Sequence, residues 1–342
     1  VITSARLRAA LALLAGVHLA ALFAGFLSPY APREQNRLFP FAPPTKVRFV
    51  GADGEFHLRP FVYALSEDEG APGAYVEDRT RAFPLRFLVP GAPYRLAGLV
   101  PARVRLFGVE EPARVFLLGT DGLGRDQLSR LLHGAQVSLA AGLVAGALSL
   151  GLGWILGTIS GYRGGWTDAA AMRTADLFLA LPWLYLLLAV RAALPLHVPP
   201  AQAFLMIVCV VGLVDWARPA RLVRGVVLSA RERGYVLAAR GFGASDAHIV
   251  RRHILPHTAP LLLTQAAILV PQYVLAEVTL SFLGLGVPEP APSWGNMLGA
   301  LQQYHVLSSY WWMWAPALVL VPLFLSYFVV SESIPPSGAA ST

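Results

Sequence analysis

Apolar residues in this chain gather into six long runs, separated by polar segments of very unequal length. A helix that crosses a bilayer needs about 20 consecutive apolar residues. Runs of that order lie at about Ala9–Leu27, Val137–Ser160, Ala175–Leu194, Ala201–Val214 (extended to Trp216 by Asp215), Leu261–Leu283 and Tyr310–Val330. They predict an all-α polytopic membrane protein with six transmembrane helices. The first run follows Arg6 and Arg8 and reads as a retained span, because Ser28-Pro29-Tyr30 is a poor substitute for a small-x-small cleavage site. In the second run Gly142 and Gly146, then Gly153, Gly157 and Gly161, recur at four-residue spacing, which lets helix backbones approach closely. Pro182 is expected to kink the third span.

Between the first two runs the pattern changes. Residues 29–118 are rich in proline and carry short β-favouring runs at Val47–Val50, Leu85–Val89, Val104–Val109 and Val115–Leu118. Glu67-Asp68-Glu69-Gly70 reads as a turn or exposed tip. A small β-rich extracytoplasmic insertion between helices 1 and 2 is therefore expected. Residues 119–135 read as a glycine-punctuated polar turn followed by a short amphipathic helix along the membrane surface, with Leu128, Leu131 and Leu132 on one side. A membrane core over 136–332 and a tail over 333–342 complete the chain.

Composition agrees with the pattern: hydrophobic residues are 56% of the chain and charged ones 14%. The net charge of +7 raises nucleic acid as a partner, but the excess is local. Arg218, Arg221, Arg224, Arg231, Arg233, Arg240, Arg251 and Arg252 all fall between the fourth and fifth runs, a topology signal rather than a nucleic-acid patch. With the N-terminus inside, the inner segments hold these arginines together with Arg163 and Arg173. The short outer loops, 195–200 and about 284–309, hold no Lys or Arg. Both termini are expected in the cytoplasm, and Arg191 is expected to snorkel from the outer end of the third span. The single cysteine, Cys209, excludes an intrachain disulfide and a thiolate metal cluster.

Candidate chemistry is concentrated in three places. Residues 229–257 form a cationic island that reads as two short helices broken at Gly241-Phe242-Gly243. Ser245 is its expected N-cap, Asp246 stands at the positive end of the helix dipole, Arg251 and Arg252 lie in the last turn, and Pro256 and Pro260 reset the chain. Charge alone fits an ordinary inner loop equally well. Asp121, Arg125 and Asp126 read either as a metal or catalytic cluster or, preferably, as residues that pair with one another and pin the turn. Glu277, with Ser281 and Asp176, marks a possible solute pathway, since an ionisable residue in a span is a functional candidate. Structural pairing, through water or Arg191, is the alternative for Glu277, and Asp215 is most simply paired with Arg218. Trp311, Trp312 and Trp314 fit an interfacial aromatic belt. No catalytic or metal-binding residues are assigned. The only lysine, Lys46, lacks the glycines of a phosphate-cradling loop, so the chain carries no P-loop of its own.

Two of these segments carry a resemblance. Ala238-Ala239, Gly243 and His253-Ile254-Leu255-Pro256 resemble the cytoplasmic "EAA" loop of ABC importer permeases, although Leu237 stands where that family usually has Glu. Gly119-Thr120-Asp121, Gly124-Arg125-Asp126, Ser129-Arg130, Gly134 and Ser138-Leu139 resemble the signature ahead of the second span in the dipeptide/oligopeptide branch, which includes nickel permeases. Gly161-Tyr162-Arg163-Gly164-Gly165 with Asp168, and Glu277 followed by Ser281–Gly286 and Pro292–Gly295, follow the same pattern. The resemblance, of the second-permease type, implies a permease of the bacterial inner membrane. Ala238, Ala239, Gly243, Ala244, Asp246, Ile254, Leu255 and Pro256 would then couple to an ATPase. It also implies a second six-span permease, two ABC ATPase subunits that bind ATP and Mg, and an extracytoplasmic solute-binding protein; the chain itself would hold no cofactor. The insertion would touch the binding protein or the sister permease, or would be a surface decoration. An ion-gradient-driven transporter, or a sensor or scaffold using the outer segment, are the rival classes. The former predicts inverted repeats, and none is evident.

Overall fold

The computed structural model describes residues 4–52, 54–68, 70–71, 73–96, 98–193 and 200–334. It is mostly helical and divides into two compact units. The helices are α1 (Ser4–Leu22), α2 (Ala24–Leu27), α3 (Gln127–Arg163), α4 (Gly165–Ala180), α5 (Trp183–Ala193), α6 (Pro200–Val214) and α7 (Ala217–Arg231). They continue with α8 (Gly234–Gly241), α9 (Asp246–Ile249), α10 (Leu255–Phe282), α11 (Trp294–Gly299), α12 (Tyr304–Ser309) and α13 (Ala315–Ser333). Among the described residues four helical stretches are long and apolar enough to cross a membrane: Ser4–Leu22, Gln127–Arg163, Asp246–Phe282 and Trp311–Ser333. The expected third span is two helices, because Leu181 is extended ahead of Pro182, as the residue before a proline prefers. The expected fourth is the 15-residue α6.

The first unit comprises residues 1–14, 140–277 and 323–342. Its frame is α3 packed on α7. A Cβ at Gly153 would meet the Pro219 ring, one at Gly157 the Val223 Cβ at 2.9 Å, and one at Gly161 the Arg224 carbonyl oxygen at 2.9 Å. The same helix meets α10 at Gly142, where a Cβ would lie 2.9 Å from the Val270 carbonyl. The glycine spacing thus serves two helix neighbours from one helix. Gly164 and Gly165, with φ of +68° and +59°, turn the chain directly from α3 into α4, so no inner loop separates them. On α4, Asp168 receives a bidentate pair from Arg224 of α7, Nε to Oδ1 at 2.5 Å and Nη2 to Oδ2 at 2.6 Å, and the Ser160 hydroxyl also donates to it. Ala175, Trp216, Ala217 and Ala220 bury the rest of that contact.

The second unit comprises residues 15–139 and 278–322. It holds a three-stranded antiparallel sheet ordered β1 (Arg48–Val50), β2 (Phe56–Glu67), β3 (Tyr75–Pro84), and a hairpin of β4 (Arg86–Leu96) with β5 (Val100–Gly108). Between β2 and β3 the Gly73 amide donates to Glu67 at 2.9 Å; Glu69, in the expected tip, lies outside the described residues. Val115–Leu118 is not a strand. Its amides are satisfied by side chains instead: Val115 donates to the Tyr30 hydroxyl at 2.9 Å and Phe116 to the Thr45 hydroxyl at 2.9 Å. Val115 and Phe116 are fully buried there, against Val62, Phe83, Phe107 and Phe39.

Three further expectations are corrected. No separate surface helix precedes the second span, because α3 runs unbroken for 37 residues. Gly134 alone costs about 1 kcal/mol, too little to end a helix, and at about 1.5 Å per residue α3 exceeds the hydrocarbon thickness of about 30 Å. Pro256 and Pro260 do not reset the chain but lie within α10, preceded by a π-helical turn at Val250–Ile254. The wider turn relaxes the hydrogen-bond register just where a proline removes a donor and crowds the carbonyl before it. Trp312 is not part of an exposed belt. It is buried and donates to the Thr120 carbonyl at 3.0 Å, while Trp311 and Trp314 are exposed.

Gly157→Val should lower the thermal unfolding midpoint of the detergent-solubilised chain, at a cost of about 1–3 kcal/mol from overpacking. Gly151→Ala, where an added Cβ meets nothing within 4 Å, should leave the midpoint unchanged or raised.

Candidate functional site

The first candidate surface is the island after α7. Gly234 starts α8 and Gly243, at φ +81°, turns the chain back; an L side chain is strained in that region. Ser245 caps α9, accepting from the His248 amide at 3.4 Å, with Asp246 in its first turn. The two-helix break expected at Gly241–Gly243 is present. Beneath it Val236, Ile249 and Ile254 are fully buried against Val223, Val227 and Ala230 of α7. Above it Phe242 is 92% exposed and Leu237 53% exposed, while Ala238, Asp246 and Pro256 also face outward and Ala239, Ala244 and Leu255 are half-buried. Ile254 is inside, so its part is to seat the loop. Tyr162 donates to Asp246 at 2.5 Å, and the Tyr235 hydroxyl meets His257 Nε2 at 2.6 Å. The loop is therefore braced on α3, α7 and α10 and presents a rigid apolar knob set among arginines.

The second is the polar turn at 119–130. Thr120 holds the preceding chain, accepting from the Ala42 amide at 2.7 Å and donating to the Phe39 carbonyl at 2.5 Å. Gly119 and Gly124 have φ of +66° and +69°, and a Cβ on Gly124 would strike the Asn36 backbone. Asp121 Oδ1 accepts from the amides of Leu123 and Arg125, at 2.9 and 3.0 Å. Its Oδ2 takes the Arg125 Nε at 2.7 Å, and Arg130 Nε stands 3.6 Å away. Among the described residues Asp126 is in no ion pair with an arginine. It caps α3, accepting from the Ser129 amide at 2.8 Å and hydroxyl at 2.6 Å.

The residue that sequence reasoning missed is Glu289. Arg125 Nη1 donates to its Oε2 at 2.6 Å and Arg130 Nη2 to its Oε1 at 2.9 Å, closing a ring of two carboxylates and two guanidiniums. Partial burial pushes the Glu289 carboxyl up, but Arg130 and Arg125 outweigh it and hold the group below its usual range. Its only sequence signal was an acidic residue in an outer loop without Lys or Arg to pair it. The ring borders a cavity of about 350 Å³ lined also by Gln127, Asn296 and Met313.

Of the pathway candidates, Glu277 and Ser281 are both buried one turn apart on α10, and Asp176 lies on α4. Asp176 ion-pairs with Arg221. Ser281 is buried and accepts from the Val287 amide at 3.0 Å. Glu277 is buried in α10, and the side chain of Arg191 lies outside the described residues. Asp215 is paired differently from expectation: the Tyr273 hydroxyl donates to it at 2.8 Å, because α10 and the end of α6 meet there.

Comparison with known proteins places these features in context. Residues 151–337 match the family described as binding-protein-dependent transport system inner membrane component. A protein of Brucella suis named as a peptide permease is 39% identical over 212 residues, covering 61% of this chain and 68% of its own length. The oligopeptide transport system permease protein OppC of Bacillus subtilis is 35% identical over 65% of this chain and 71% of its own. The dipeptide transport system permease protein DppC of the same organism is 35% identical over 65% and 68%. Among solved structures, the MetNI methionine ABC transporter in an inward-facing conformation is 18% identical with a TM-score of 0.43, covering 60% of this chain and 94% of that one.

Burial is the largest effect on Asp126 and pushes its carboxyl up to about 7, against the Ser129 hydrogen bonds that lower it; Glu34 adds to the rise. Between an unfolded value near 3.8 and about 7, the folded chain keeps a proton that the unfolded chain releases, so stability falls as pH rises through that window. Unfolding midpoints measured from pH 4.5 to 8 should show this decline in the wild type. Asp126→Asn, which keeps an acceptor for Ser129, should flatten it.

Proposed function

Because the chain belongs to the binding-protein-dependent transport system inner membrane components, we propose that it is the transmembrane permease subunit of an ATP-driven ABC importer for peptides. It is a multi-pass membrane protein, and the permease, not the ATPase, is its role in the assembly. In this reading six spans cross the bacterial inner membrane with both termini in the cytoplasm. The third span is α4–α5 around Pro182 and the fourth is α6. The eight arginines between α6 and α10 then lie inside and the β strands outside, in keeping with the positive-inside rule.

The observation that carries the reading is the exposed knob at Phe242, held on a braced helix–turn–helix within the family's matched region. An apolar side chain 92% exposed at a tight turn, in a loop that also exposes Arg240, Arg251 and Arg252, suits insertion into a groove of a partner. That partner is a cytoplasmic ATPase subunit, which holds ATP and Mg; this chain binds neither. Two such subunits, a second six-span permease and an extracytoplasmic solute-binding protein complete the assembly. Ala238, Ala239, Gly243, Ala244, Asp246 and Pro256 form or shape the contact, and Ile254 and Leu255 anchor it to α10. Closure of the ATPase pair would move this loop as a rigid body and carry the attached helices with it. Peptides, as the substrate, rest on the relatives named for peptide transport.

Gentle purification of the tagged chain from its native membrane should recover a P-loop ATPase and a second permease; a chain that emerges alone and moves solute without ATP would overturn the reading. Gly243→Val should leave the chain in the membrane but abolish peptide-stimulated ATP hydrolysis in the complex. The space around Gly243 is open, so the damage acts through the backbone turn, at about 1–2 kcal/mol for a left-handed L residue.

A further inference from the structure

The β4–β5 hairpin of the second unit is one-sided in charge. Between Asp78 and Glu110 the chain holds Arg79, Arg81, Arg86, Arg95, Arg103 and Arg105 and no acidic residue. Arg86 pairs with Glu110 at the base and Arg105 is buried, but Arg95 and Arg103, near the turn, are exposed. So are the apolar residues beside them: Leu99 is 79% exposed and Val100 58%. Successive contacts fix the direction in which this turn points. At the base, Phe107 packs with Leu85 and Val115, and the Val115 amide donates to the Tyr30 hydroxyl at 2.9 Å. Further along, Arg105 Nη1 donates to the carbonyls of Ser28 at 2.8 Å and Tyr30 at 2.9 Å. Nearer the turn the Tyr94 ring lies against Gly25, where a Cβ would strike it. Moving from Tyr30 back to Gly25 therefore moves along the hairpin from base to turn, and the element before α2 is α1, apolar enough to cross a membrane. At about 3.3 Å per residue, the strand beyond Tyr94 and its turn carry the tip roughly 7–10 Å past Gly25. That is toward Leu22 and Leu19 of α1, which are themselves exposed.

We propose that the β4–β5 turn is a lipid anchor: Leu99 and Val100 enter the membrane interface at the C-terminal end of α1, and Arg95 and Arg103 bind the phosphates of anionic phospholipids there. Residues directly opposite in an antiparallel pair share a face. Leu96 and its partner Val100 thus lie on the Tyr94 side, toward α2, and Arg95 and Arg103 on the other. A guanidinium is a planar, bidentate donor for phosphate, and its stem can lie along apolar surface while the head stays at the headgroups. Pro90, Pro93 and Pro101 have no amide for hydrocarbon to leave unsatisfied, while the other edge groups of so short a sheet keep it at the interface. Lipid is favoured over a protein as the occupant because the exposed tip continues the exposed apolar surface of α1, which lipid covers. The proposal rests on α1 being a span, and the outer leaflet as its address rests on the orientation proposed above.

The test is spin labelling of the full chain in nanodiscs of phosphatidylcholine and phosphatidylglycerol, in a Cys209→Ser background. A nitroxide is attached through Leu99→Cys or, separately, through Leu11→Cys on the exposed side of α1. Relaxation by oxygen, which concentrates in lipid, is compared with relaxation by a water-soluble nickel chelate. Oxygen should dominate at both positions. Arg95→Glu combined with Arg103→Glu changes two exposed side chains and should leave the unfolding midpoint unchanged. The pair should nevertheless turn the preference at position 99 to the chelate, with position 11 unaffected. Chelate dominance at 99 beside oxygen dominance at 11 would overturn the anchor and leave the span standing; chelate dominance at both would overturn the span as well. An oxygen preference at 99 that survives the charge reversal would overturn the arginine–phosphate contact. Shielding of position 99 from both reagents that arises only in the assembled transporter would overturn lipid as the occupant and assign the turn to a partner protein.

Discussion

The close approach of α3 to α7 is the contact on which the first unit depends. Helices associating in lipid gain little from the hydrophobic effect and rely on backbone proximity and packing. Gly153, Gly157 and Gly161 supply that proximity, since any side chain there would meet α7 backbone or the Pro219 ring. The apolar face of α7 is then fixed, and Val223, Val227 and Ala230 form the floor on which Val236, Ile249 and Ile254 settle. The exposed loop is rigid because its underside is anchored. Its arginines stay outward because the few inward places are taken by aliphatic side chains.

The second unit is organised by a different constraint, the cost of burying charge. Asp121, Arg125 and Arg130 are each less than a tenth exposed, and unpaired they would cost several kcal/mol apiece. Glu289 makes their burial tolerable and, in doing so, fixes the loop before α11 to the start of α3. The same turn satisfies backbone groups of the 36–45 segment through Thr120 and Asp121, so the signature residues are chiefly structural in their visible contacts.

Local features were legible to the residue. The break at Gly243 and the cap at Ser245 each follow from the conformational limits or hydrogen-bonding habits of a few adjacent residues, whereas the kink expected at Pro182 is a full break between α4 and α5. The strands were less so. β2 and β3 escaped because their outer ends are exposed on both faces and the pairing shifts register between Tyr63 and Ala64, which blurs the two-residue alternation. Val115–Leu118 looked like a strand because its side chains are β-formers, yet the Val115 and Phe116 amides donate to hydroxyls of Tyr30 and Thr45 rather than to a neighbouring strand.

The sequence alone determined where the long apolar runs and the cationic loop lie and how that loop bends, because hydropathy and backbone preference act over a few residues. Only the tertiary structure decided the partners of the charged groups. Glu289 meets Arg125 and Arg130 across 164 and 159 residues of chain, Asp215 takes Tyr273 rather than Arg218, and Trp312 turns inward to Thr120. Such choices depend on which side chains are left buried and unpaired once the helices have packed, a condition no stretch of sequence carries by itself.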